Sequence, residues 1–143
     1  MNSISSPHDR SADITQWDNA VKQDGKCYSD GLLVAKDDFS DYYIAMRYYA
    51  VAHFSKYIPV GSESLDIGFK ASRGLSLFAF KNGGKYIVVA VNNSKAKRVI
   101  EPDINFKSAE ITTTTQEKQL ESSVVKDKKV EILPKSISTI IFE

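Results

Sequence analysis

The sequence changes its period at Pro59-Val60-Gly61, and that break constrains the fold more than any other feature. Before it, apolar residues recur at helical spacing; after it, from Leu65 onward, they alternate as in strands. At about 100° per residue, Tyr43, Met46, Ala50, Phe54, Tyr57 and Ile58 fall on one helical face. Ile44 and Val51 widen that face on one side, His53 and Tyr49 on the other. Across the helix stand Ala45, Tyr48, Ala52 and Lys56, a side too poor in charge to meet only water. The pattern predicts a helix covered on two sides. It should begin near Ser40 or Asp41, either of which can cap free amides, and run to about residue 58. Pro59 and Gly61 should close it, because proline cannot continue a helix and glycine tolerates the exit conformation.

Beyond the break, Leu65, Ile67 and Phe69 alternate with Asp66, Gly68 and Lys70. The segment Leu75–Phe80 carries large apolar groups on both faces, and Lys81-Asn82-Gly83-Gly84-Lys85 reads as a hairpin turn. Tyr86–Val91 is the most apolar run and is expected as a central strand. Arg98–Ile100, Ala109–Thr114, Lys129–Leu133 and Ser138–Phe142 complete the set. Such short strands with frequent turn signals indicate an antiparallel β-sandwich of about seven or eight strands. The expected class is therefore mainly β, with one amphipathic helix and a short strand or hairpin region in front. Residues 1–13 lack any period and read as a loose tail. Ile14–Val21 and Gly31–Lys36 read as short strands, with a turn signal at Gln23-Asp24-Gly25-Lys26.

A chain of 143 residues is enough for one domain with a real core. Its net charge of +1 provides no field to attract nucleic acid or an anionic membrane. Lys81, Lys85, Lys95, Lys97 and Arg98 cluster at turns and read as a solvated sheet rim. Cys27 is the single cysteine, so no internal disulfide forms. The first ten residues lack the apolar core of a signal peptide, and no run approaches the roughly 20 apolar residues of a membrane span. As written, the chain is expected to be soluble and untargeted.

The residues that carry chemistry elsewhere are sparse. His8-Asp9 supplies two metal-ligand types without a third, which favours a plain tail. His53, at the edge of an apolar face, reads as a structural histidine bonded to a carbonyl or polar side chain rather than a catalytic base. Cys27 has only Lys26 as a neighbouring cation, so no reactive thiol is indicated. Thr112–Thr115 suits a strand with one wet face; a sugar-binding strip would need exposed aromatics, which this run lacks. Trp17 stands beside Asp18 and Asn19, an indole with flanking polar groups that suits sugar stacking, although ordinary packing is the first expectation. There is no phosphate loop, nucleophile elbow or CxxC motif. No cofactor and no metal site is expected.

The run Tyr49-Ala50-Val51-Ala52-His53-Phe54-Ser55-Lys56-Tyr57-Ile58-Pro59-Val60-Gly61-Ser62 resembles a signature of glycoside hydrolase family 30, which includes glucosylceramidases, bacterial β-glycosidases and xylanases. Pro59 standing two residues before Gly61 is most similar to the glucosylceramidase branch. Cys27-Tyr28-Ser29-Asp30-Gly31-Leu32-Leu33-Val34 resembles that branch's segment after the last barrel strand, and Trp17-Asp18-Asn19-Ala20-Val21 the end of that strand. The alternation after Gly61 is similar to the family's C-terminal sandwich.

This resemblance implies that residues 14–60 are the end of a (β/α)8 barrel and residues 61–143 a C-terminal sandwich. Family members hydrolyse glycosides with two glutamates on the fourth and seventh barrel strands, about 5 Å apart. Every glutamate here (Glu63, Glu101, Glu110, Glu117, Glu121, Glu131, Glu143) lies in or after the sandwich, so no catalytic residue carries over. Trp17 alone maps near the substrate pocket, and only a complete barrel would give it a pocket to line. The expectation is a non-catalytic C-terminal fragment of a retaining β-glycosidase that supports its barrel. The alternative is a free-standing sandwich that binds carbohydrate or protein. In the family the sandwich also receives strands from before the barrel, and the parent enzymes are commonly secreted or lysosomal. Without that barrel, the expectation is self-association through the face carrying Ala45, Tyr48, Tyr49 and Ala52, or residues 14–36 folding back over it.

Overall fold

The structure is a computed structural model that describes Ile4–Ser5, Lys22–Gln23, Lys26–Cys27 and residues 32–35, 40–68 and 72–143. Its strands are β1 (Ile4–Ser5), β2 (Lys22–Gln23), β3 (Lys26–Cys27), β4 (Leu33–Ala35) and β5 (Tyr42–Ile44), followed by helix α1 (Met46–Ser55). Then come β6 (Glu63–Leu65), β7 (Leu75–Asn82), β8 (Lys85–Asn92), β9 (Arg98–Ile100), β10 (Ala109–Thr114), β11 (Glu121–Val125), β12 (Val130–Ile132) and β13 (Ser136–Phe142). The chain divides into two compact units, Met1–Ala50 and Val51–Glu143.

In the first unit, β4 pairs parallel with β1 and antiparallel with β5, while β2 pairs antiparallel with β3. Two expectations change here. Ile4–Ser5 lies within the supposed loose tail yet pairs with Leu33–Val34. The helix starts at Met46, because Tyr42–Ile44 pairs with Leu33–Ala35 instead of continuing the helical period. Asp41 does bond a free amide, that of Tyr42 at 2.8 Å, but this amide opens a strand. The expected strand at Ile14–Val21 lies outside the described residues.

The second unit is the sandwich, and its mainly antiparallel β architecture is as expected. Its larger sheet has six strands in the order β11-β10-β13-β8-β7-β6, all antiparallel; β9 and β12 form a second, two-stranded sheet. The run Tyr86–Val91 does lie centrally, flanked by β13 and β7. Asn82 pairs with Lys85 across a two-residue turn in which Gly83 takes φ +58, the arrangement of a type II′ hairpin. β11 was not evident from the sequence. It is an edge strand whose residues are nearly all exposed, so no apolar alternation marks it.

Registers put alternate residues of the large sheet on opposite faces. Leu75, Ala90, Ile111, Ile140 and Phe142 point inward and form one core with Ile100, Val130 and Ile132 of the small sheet. Phe106 packs on Phe142 with ring centroids 5.0 Å apart. At about 25 cal/mol per Å² of apolar surface, each of these larger side chains contributes roughly 1.5–3 kcal/mol. Buried Asn92 ties the end of β8 to the loops around β9 and β12. Its Nδ2 donates to the carbonyls of Ala96 (2.9 Å), Ile132 (3.4 Å) and Leu133 (2.8 Å), and its Oδ1 accepts from Ser94.

Candidate functional site

The outer face of the large sheet carries Thr112 and Thr114 on β10, Thr139 on β13, Val89 on β8 and Phe78 on β7. The C-terminal half of α1 docks on this face through a fully buried His53. The imidazole Nδ1 lies 2.8 Å from Thr139 Oγ1, and Nε2 lies 2.9 Å from Thr114 Oγ1. Neighbouring bonds fix which atom donates. Thr139 gives its hydroxyl proton to the His53 carbonyl at 3.2 Å, so its oxygen must accept from Nδ1–H. Nε2 is then the acceptor, and Thr114 donates to it while accepting from the Leu120 amide at 3.1 Å. The tautomer assigned from this network is neutral, with the proton on Nδ1.

Every group in the chain is used once, from the Leu120 amide to the His53 carbonyl. Leu120 sits in the left-handed region (φ +49), a conformation costing roughly 1–3 kcal/mol for such a residue. Its amide orients the Thr114 hydroxyl toward the imidazole. At the other end, three carbonyls near the end of the helix find partners: Lys56 N–H on Ala52, Ile58 N–H on Phe54 and Thr139 on His53. That a sheet hydroxyl reaches the His53 carbonyl directly reflects a close approach of helix and sheet.

Burial lowers the His53 pKa from 6.5 to about 4, so the ring is neutral near pH 7. A hydroxyl donating to an imidazole is also the geometry of an activated nucleophile. Here no carboxylate orients Nδ1, and neither Thr114 nor His53 is open to a substrate. The structural reading of His53 therefore matches the geometry, with two threonine hydroxyls as its partners. The expectation for the threonine run is corrected: Thr112, Thr113 and Thr114 are all buried, so β10 has no wet face there. Thr112 pairs with Ser122 at 2.8 Å and Thr113 with Ser138 at 3.0 Å, each directly opposite in register.

The rest of the joint is built from the residues that follow. Phe54 meets Phe78 edge to face at 5.8 Å. Pro59-Val60-Gly61-Ser62 forms a turn closed by Ser62 N–H on the Pro59 carbonyl (3.2 Å), with Gly61 at φ +85 as a type II turn requires. Ser62 Oγ also donates to that carbonyl at 2.6 Å, and Asn82 Nδ2 from the β7–β8 turn donates to Ser62 Oγ at 3.2 Å. The side of α1 buried in the structure is thus that of Ala52 and His53, while Phe54, Tyr57 and Ile58 are half-buried. On the face expected to self-associate, Ala45 and Ala52 are buried, Tyr49 is half-buried and Tyr48 is exposed. Sequence periodicity missed the orientation because the anchor is a polar residue.

The other candidates fare differently. Trp17, His8 and Asp9 lie outside the described residues. Among the described residues no group of three or more His, Cys, Asp and Glu is placed to hold a metal. In the basic cluster, Lys85 bonds Glu143, Lys97 bonds Glu131 at 2.9 Å, Arg98 donates to the Arg73 carbonyl, and Lys81, Lys85, Lys95 and Lys97 are all exposed, as a solvated rim would be. No helix among the described residues is long and apolar enough to cross a membrane. Between the sheets lies a cleft of about 510 Å³, floored by Leu77, Ala79, Tyr86 and Val88 and walled by Val99–Ile104. It opens where the two-stranded sheet ends at β9 while the six-stranded sheet continues to β6.

These features define a β-sandwich with the C-terminal half of a helix clasped to the outer face of its larger sheet. Solved structures place the same architecture in glycoside hydrolases. The catalytic domain of the family 30 xylanase C from Talaromyces cellulolyticus superposes with a TM-score of 0.67 at 21% identity, over 79% of this chain and 27% of that one. The family 30 endoxylanase from Clostridium papyrosolvens gives 0.62 at 18% identity, over 70% of this chain and 28% of that one. A β-porphyranase of family 86 from Bacteroides plebeius gives 0.54 at 15% identity, over 80% of this chain and 22% of that one. At these identities the likeness is one of fold, and the chain spans under a third of each enzyme. No protein-family model and no curated protein sequence matches the chain.

Proposed function

We propose that this chain is the non-catalytic C-terminal part of a family 30 glycoside hydrolase, the last barrel helix with its sandwich, and that it supports the barrel. The observation that carries this reading is the joint: His53, Phe54, Pro59, Gly61 and Ser62 of the signature each fix the helix to the sandwich or turn the chain into it. Two features support it further. The fold is that of part of two family 30 xylanases. The cleft beside β9 also fits this reading, on which strands from before the barrel would extend the smaller sheet. Pro59 before Gly61 favours a glucosylceramidase-like parent, a retaining β-glycosidase. In a complete barrel Trp17 would line the sugar pocket. Without the barrel, self-association through the helix face that includes Tyr48 and Tyr49 is part of the same reading, and sedimentation as a monomer at high concentration would count against it.

The test is hydrolysis of aryl β-glucosides and β-xylosides by the purified chain. No turnover is expected, and activity that co-purifies with the chain through stringent chromatography would overturn the proposal. A second reading, a free-standing module that binds carbohydrate or protein, draws on the cleft with Tyr86 on its floor. Retention on a glycan array by the isolated chain would favour it over the first.

A further inference from the structure

We infer that His53 is an acid-operated latch: one proton taken up at Nε2 releases the Val51–Ser55 end of the helix and the turn that follows it to Ile58, while the six-stranded sheet stays folded, with Pro59–Ser62 as the pivot. This rests on the second unit alone and not on the proposed function. The neutral network has no place for another proton. Once Nε2 carries hydrogen, Thr114 can no longer donate to it, and the Thr114 oxygen must accept from both Nε2–H and the Leu120 amide while its own proton loses its partner.

Among the described residues, none offers the imidazolium a counter-charge. On its own helix, one turn on, stand Lys56 and Tyr57, the ammonium 5.2 Å from the Tyr57 ring centre. β13 presents Ile137 and Ile141 around Thr139, β8 presents Val89 and Val91, and β7 presents Phe78. Lys85 of β8 is bonded to Glu143, and Lys118 of the β10–β11 loop bonds Glu121, the first residue of β11, at 2.7 Å. Glu110, the carboxylate on this face of β10, is four residues from Thr114, about 13 Å along an extended strand. Burial without an opposing charge holds the histidine near 4, so the released segment binds the proton more tightly than the docked one and acid favours release.

Local release is favoured over global unfolding because the two sides of the joint differ in burial. Of the helix only Ala52 and His53 are fully covered, while Val51 is 47% and Phe78 45% exposed. The sheet beneath carries its core on the other face and its ladder throughout. The turn remains pinned through the Asn82–Ser62 bond, which involves no titrating group.

Amide hydrogen exchange on the full chain, corrected for intrinsic rates, tests this. Protection at Lys56 and Ile58 should fall on the order of 100-fold between pH 7 and pH 4 and stay below that of the β8 and β13 amides throughout. In His53→Gln, whose amide can still donate and accept but does not titrate there, helix protection should be flat over this range. Equal protection of helix and sheet amides at pH 4, no loss in the wild type by pH 4, or the same acid loss in His53→Gln would overturn the latch. The wild-type profile decides between local and global opening even if the variant fails to fold.

Discussion

The two faces of the six-stranded sheet are held in opposite ways. Its inner face packs Leu75, Ala90, Ile140 and Phe142 against Ile100, Val130 and Ile132, an apolar contact with no preferred direction. Its outer face holds the helix through an imidazole and two threonine hydroxyls, each bond with a defined donor. Apolar burial supplies most of the stability but tolerates small slides. A buried polar network adds little net energy, yet penalises every position except the one in which all its groups are paired. The inner face thus keeps the domain folded, and the outer face fixes where the helix lies.

The largest effect should come from the inner face. Ile140→Ala removes a fully buried side chain at the centre of the core and should cost about 2–5 kcal/mol in denaturant unfolding. Next comes acid. The histidine has a lower pKa folded than unfolded, so the unfolded chain takes up the proton first as pH falls. Its contribution is whole above about pH 6.5 and is lost between there and pH 4, roughly 3 kcal/mol by the end. Urea titrations at stepped pH should show this loss in the wild type and not in His53→Gln. Thr139→Val leaves both Nδ1–H and the His53 carbonyl without their partner, and should cost about 1–3 kcal/mol while adding no cavity. If it costs nothing, the outer face is ordinary packing and the contrast fails. Gly61→Ala is the smallest, about 1 kcal/mol: φ +85 strains any Cβ, although no atom lies within 4 Å to clash with it.

Much of the fold was legible because its signals are local. The Gly83-Gly84 turn and the apolar run after it specify the β7–β8 hairpin, and Arg98–Ile100 and Ala109–Thr114 are strands over the residues expected. What was not legible depends on partners distant in sequence. Tyr42–Ile44 has the spacing of a helix start but pairs with β4, and β11 exposes nearly all its residues and carries no pattern. The joint was legible in its turn, where proline and glycine state their geometry. Its centre was not, since Thr114 and Thr139 lie 61 and 86 residues from His53. A buried threonine and a wet one look alike in sequence, which is why the run at Thr112–Thr115 was expected to face water.

The account stands most directly on the state of one imidazole. Nitrogen-15 NMR of His53 in the intact chain should show Nδ1 protonated and Nε2 unprotonated, unchanged from pH 8 down to pH 5. A ring that titrates near its ordinary 6.5, or that populates both tautomers, would mean that His53 meets water, and the joint described here would be wrong.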